Sequence, residues 1–194
     1  MDDRAALLLA KLDEVGVLLE HDKVLPSATA TIAGKPIAGS WWSHALAHPI
    51  YNALEELDDA QRMLRLKLVA GKVTLVARRL WPDLLAVVME RAAWQTEPLS
   101  DKAVALLAEV DAAPGPLVLD HPTRSPGTEL EAALLVHATS VHLPTGNHAK
   151  ALQPWGRVAA GYGIDPGPDP AASRDVFESI VGAWGSRKRL LRWD

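Results

Sequence analysis

The stretch Met63–Ala77 constrains this chain more than any other. A two-residue turn at Ala70-Gly71 places Leu68 opposite Val73, Leu66 opposite Leu75 and Leu64 opposite Ala77. All three pairs are apolar and lie on one face of a ribbon, because alternate residues of a strand point the same way. The same register sends Val69/Lys72, Lys67/Thr74, Arg65/Val76 and Met63/Arg78 to the other face. One register that sorts both strands predicts a β-hairpin, with Gly71 supplying the turn.

Helices and breaks flank the hairpin. Leu7, Leu8, Leu12, Val15, Leu18 and Leu19 recur near helical spacing and predict a helix over Arg4–Glu20, weakened at Gly16. Ala28–Ala38 reads as extended or irregular, and Ser40 as the cap of a short helix through Trp41, Trp42 and His44. Pro49–Leu57 forms a second short helix. Beyond the hairpin, Pro82 opens a helix to about Ala93, and Ser100 caps the next, with Leu99 and Val104 spaced as a hydrophobic staple. Leu117–Leu119 reads as a small strand. Thr128 and Glu131 then make a capping box for a helix carrying Leu130, Leu134 and His137. Thr139–Leu152 reads as strand, turn and strand, and Ser173 caps a last helix with Val176, Phe177, Ile180, Val181 and Trp184 inward. The fold class is α+β. Residues 1–95 make an N-terminal helix-and-hairpin region and 98–162 a winged-helix-like unit; 163–172 are a Pro/Gly linker, and 173–194 a helix with a basic tail.

Composition excludes several classes of function. With no cysteine there is no disulfide scaffold, thiolate zinc site or cysteine nucleophile. Lys11, Asp13 and Glu14 interrupt the apolar N-terminal run, so neither a signal peptide nor a membrane span is expected. A cytoplasmic protein without membrane contact follows as the expectation. No GxSxG, Walker A or GxGxxG pattern occurs, so no catalytic residue and no cofactor is assigned.

Helix, small strand, helix and hairpin between Ser100 and Leu152 is the order of a winged-helix domain. The chain also resembles bacterial proteins grouped with AlkZ-type DNA glycosylases, themselves built from winged-helix units. The likeness rests on DEVGVLLEHDKVLPS, GSWW, KLVAGKVTLVARRLWPDLLAV and LSDKAVALLAEV. It implies DNA binding, and possible association with DNA repair, or the fold retained without the chemistry. The glycosylases of that group position water with a Gln-x-Gln pair; Gln61, Gln95 and Gln153 stand singly here, so no catalytic role carries over.

Candidate nucleic-acid contacts come from the cations. Residues 62–91 hold seven basic residues against two acidic ones, although the whole chain carries −4. Arg65, Lys67, Lys72, Arg78 and Arg79, with Lys150 and the tail residues Arg187, Lys188 and Arg189, are the expected phosphate contacts. A solvated face kept soluble by charge explains the hairpin cations equally well. The helix opening at Thr128 carries Glu129 and Glu131, which suits helix capping and not base reading. His44 and His48 have a ligand spacing, but Pro49 disrupts the turn and no third ligand is apparent, so no metal is expected. Neighbours on a helix step by about 100°, so one of Trp41 and Trp42 packs inward. The other could stack on a base or fill a partner's pocket, with core packing the default for both. The acidic run Glu55–Asp59 reads as a solvated helix end. A non-catalytic module that binds a protein partner or a second copy of itself, through the Trp-bearing surfaces, stays open beside the DNA reading.

Overall fold

The computed structural model describes residues 1–119, 126–143, 146, 148–186 and 189–193. It is α+β, as expected, and divides into two compact units. Unit 1 comprises Met1–Trp81 with Arg174–Arg192, and unit 2 is Pro82–Ser173 with Trp193. The C-terminal segment therefore belongs with the N-terminal region, and the first break falls at Trp81/Pro82, earlier than the break expected near residue 95.

Unit 1 begins with α1 (Asp3–Val15), shorter than expected. Gly16, at φ 83°, turns the chain straight into β1 (Val17–Leu19). A Cβ on Gly16 would lie 2.8 Å from Leu80 Cδ1, so both conformation and space favour glycine there. The stretch expected to be irregular contains α2 (Ala28–Ala33), because the Ser27 hydroxyl accepts from Ala30 N–H and starts a helix. Trp41–Ser43 make a 3-10 turn without a side-chain cap from Ser40. Then come α3 (Ala47–Asp59), β2 (Met63–Val69) and β3 (Lys72–Ala77).

The hairpin forms at the expected turn. Ala70 (φ 53°) and Gly71 (φ 68°) are both left-handed, as a type I′ turn requires. Its register differs beyond the first pair. Val69 faces Lys72, but Leu66 then pairs with Thr74, Arg65 with Leu75, Leu64 with Val76 and Met63 with Ala77, across a bulge between Leu66 and Val69. Thr74 accounts for the slip. Its hydroxyl accepts from Val69 N–H at 3.1 Å and donates to Lys72 O at 2.9 Å, replacing ladder bonds the bulge removes. β3 is the central strand of the antiparallel sheet β1–β3–β2. Leu18, Met63, Leu75 and Ala77 face a core that includes Leu8, Leu12, Ile50, Leu54 and Leu57. Val17, Leu19, Leu64 and Val76 on the opposite face are buried too.

Unit 2 holds most of α4 (Trp81–Met89), α5 (Ala93–Thr96), α6 (Asp101–Ala112), β4 (Leu117–Leu119), α7 (Pro126–Ala132), β5 (Val136–His142), β6 (His148–Pro154) and α8 (Trp155–Tyr162). Ser100 caps α6 as expected, but Val104 is exposed, so the staple does not form. The capping box is also replaced. Glu131 pairs with Lys150, and Glu129 accepts from Ser100 N–H at 3.1 Å. α7 ends by Ala132, and His137 sits in β5. The sheet is antiparallel, in the order β4–β6–β5. Gln95, fully buried, accepts from Ala92 N–H and donates to Val88 O and Ala133 O, satisfying backbone groups around α5. The last helix, α9 (Pro170–Gly182), starts before Ser173. Asp169 accepts from Ala171 and Ala172 N–H, while Ser173 donates to Asp83. Among the described residues no helix is long and apolar enough to cross a membrane.

Candidate functional site

The hairpin cations do not form a free basic face. Arg65 is half-buried and forks onto Glu55 and Asp58 of α3, each at 2.5 Å. Glu56 of the same run lies 3.2 Å from the Met1 nitrogen, so Glu55, Glu56 and Asp58 are ion-pair partners, while Asp59 is exposed. Lys72 Nζ lies 2.5 Å from Asp22, whose carboxylate also accepts from Val24 and Leu25 N–H. Burial would raise the Asp22 pKa, but these hydrogen bonds and the ammonium outweigh it and hold it at about 2. Arg78 lies over the Trp81 ring at 4.9 Å and donates to Gln61 O, and Arg79 donates to Asp13 O. Lys150 is paired with Glu131. Lys67 and Arg189 are also engaged, and Arg187 and Lys188 lie outside the described residues. The expected phosphate contacts that are described are thus dispersed over both units and have local partners, although Lys72, Arg78 and Arg79 are exposed.

What the structure does gather is aromatic. Gly39, at φ 79°, delivers the chain into Ser40-Trp41-Trp42. Trp41 is buried with Ile37, Ile50 and Leu54. Trp42 stacks on it, ring centroids 4.0 Å apart and planes 25° from parallel, yet stays 61% exposed. The core default therefore holds for Trp41 and fails for Trp42. Tyr51 of α3 stands 5.9 Å from Trp42 and is exposed as well. Trp42, Ser43, His44, Ala47, His48 and Tyr51 line a hollow of about 360 Å³. That volume lies at the low end for small-ligand sites.

Half-buried polar groups tie this platform to its neighbours. The His21 ring bridges Thr29 Oγ1 and Gly39 O, each at 3.0 Å. Gly39 O can only accept, so Nε2 of His21 carries a proton. Trp41 hydrogen-bonds the Glu20 side chain. Burial raises the Glu20 pKa, with Arg65 opposing it and Glu55 adding to it. His44 caps the 3-10 turn, and its Nδ1 accepts from Leu46 N–H at 3.2 Å. His44 precedes α3 while His48 is within it, so their i, i+4 spacing does not place them on one helix face. The adjacent Trp pair was the signal for this site in the sequence. Tyr51 and the histidines join it only through the turn at 43–47.

Comparisons with protein-family models, with curated proteins and with solved structures find no match for this chain.

Proposed function

We propose that this chain is a DNA-associated protein that contacts exposed bases through the Trp42–Tyr51 hollow. The observation that carries the reading is Trp42 itself, a large ring left mostly in water while a buried neighbour holds it in one orientation. A base laid on such a ring is worth about 1–3 kcal/mol, and the contact tolerates any sequence because every base has a π-face. Unit 2 supports the reading. Its order α6–β4–α7–β5–β6 and sheet order β4–β6–β5 fit a winged-helix domain with β5–β6 as the wing. The resemblance to the AlkZ group points the same way, towards a DNA-repair setting. The engaged cations imply few phosphate contacts and hence weak salt dependence. A partner protein inserting an apolar side chain into the hollow is the second reading, favoured by the same exposed rings.

Fluorescence anisotropy with labelled single- and double-stranded DNA across a salt series tests this. Single strands should bind better, with a shallow salt slope, and Trp42→Ala should weaken binding about 5- to 150-fold, the factor equivalent to one lost stack. Steep salt dependence that survives Trp42→Ala would return the contact to the cations. No binding at low salt would move the reading to a protein partner.

A further inference from the structure

The far end of the β5–β6 hairpin brings two imidazoles together. His142 and His148 are directly opposed cross-strand partners, with ring centroids 4.1 Å apart and planes inclined at 52°. Both side chains are exposed. The Ser140 hydroxyl lies 3.3 Å from Nδ1 of His148. A bond there occupies that nitrogen and turns Nε2 to other use, much as outer partners orient metal-bound histidines.

We infer that His142 and His148 form a two-imidazole binding site for a divalent transition-metal ion of the zinc, nickel or copper type, with water completing its coordination. Neutral imidazole is the commonest metal ligand, and these ions suit it. Directly opposed residues of an antiparallel pair hold their Cβ atoms about 4.5–5.5 Å apart, so both rings can reach one ion at bond lengths of about 2.0–2.1 Å. The hairpin already holds both ligands side by side, which lowers the ordering cost of binding. Ser140 and Lys150 form the next pair on the same face, and Glu131 neutralises the Lys150 ammonium. No uncompensated cation of that pair opposes an incoming ion. Among the described residues no group of three or more His, Cys, Asp or Glu could hold a metal, so the two rings are the contribution of those residues. The sequence hides the pair, because the two histidines are six positions apart across a turn.

Calorimetric titration of the full chain with zinc chloride is the test, and one equivalent should bind. His142→Ala and His148→Ala should each abolish binding, whereas a His44→Ala/His48→Ala variant should retain it. Bound zinc should raise the melting temperature of the wild-type chain and leave that of His142→Ala unchanged. Both rings are exposed, so circular dichroism of the variants should match the wild type. Absence of binding in the wild type, its persistence in a His142→Ala/His148→Ala variant, or its loss only in the His44/His48 variant would each overturn the assignment.

Discussion

The two sheets of this protein share a plan and differ in what surrounds them. Each has three antiparallel strands with the last one central, β1–β3–β2 in unit 1 and β4–β6–β5 in unit 2. In the first, Leu75, Val76 and Ala77 are buried in succession, so both faces are covered. In the second, Val136 and Leu152 are buried at the base, while Thr139, Ser140, His142 and His148 stand in water toward the hairpin end. In the first sheet Arg65 is drawn to Glu55 and Asp58, and the exposed Lys72 to Asp22. A sheet that rises out of its core can keep polar side chains at its tip with unused ligand capacity. That difference places the histidine pair in unit 2, while Arg65 and Lys72 of the unit 1 hairpin are engaged with carboxylates.

The widest gap between the sheets should come from matched truncations. Leu75→Ala removes a fully buried side chain from the central strand of the first sheet and should cost about 2–5 kcal/mol in chemical denaturation. Val118→Ala in β4 of the second, where the side chain is exposed, should stay within about 0.5 kcal/mol. If the two costs prove equal, the first sheet is not covered on both faces. A smaller effect tests the bulge. Thr74→Val keeps the volume but leaves the buried Val69 N–H without its acceptor, so a loss of about 1–3 kcal/mol is expected. A neutral result would show that the register does not depend on that hydroxyl.

The smallest effect concerns pH and the Asp22–Lys72 tie. A carboxyl whose pKa falls from 3.8 when unfolded to about 2 when folded stabilises the native state only while ionised. Its contribution is complete above the unfolded value and fades as pH drops from about 4 towards 2. Asp22→Asn should therefore flatten the acid limb of the stability profile within that window. Glu20, two residues away, has the opposite sign. Burial raises its pKa, so ionisation works against folding as pH climbs above 4.5. Melting curves of the Asp22→Asn and Glu20→Gln variants between about pH 2 and 6 should separate the two carboxyls. Identical profiles would contradict the environments described.

Several elements were readable locally because their causes lie within a few residues. The Ala70-Gly71 turn, the Ser100 cap, the helices around Leu8 and Leu54 and the α+β class all follow from short-range periodicity, capping and turn chemistry. Where local rules competed, tertiary structure chose. The capping box at Thr128 and Glu131 yielded to an ion pair with Lys150. Ala28–Ala38, expected to be extended or irregular, instead contains α2 on the local Ser27 cap. Half of the candidate site was visible as GSWW. The exposure of Trp42 was not, since two adjacent indoles carry the same signature whichever one the core takes.

The sequence by itself determined that residues 63–77 double back as a hairpin, because apolar alternation and a left-handed turn act over neighbours. Only the tertiary structure decided how the strands register and what their cations do. A strand buried on both faces offers no polar–apolar contrast to select between registers one residue apart, so the Thr74 hydroxyl and the packing of α1 and α3 select it. The charges of Arg65 and Lys72 are equally plain in the sequence. Their partners stand seven, ten and fifty positions away, and only the folded chain brings them within reach.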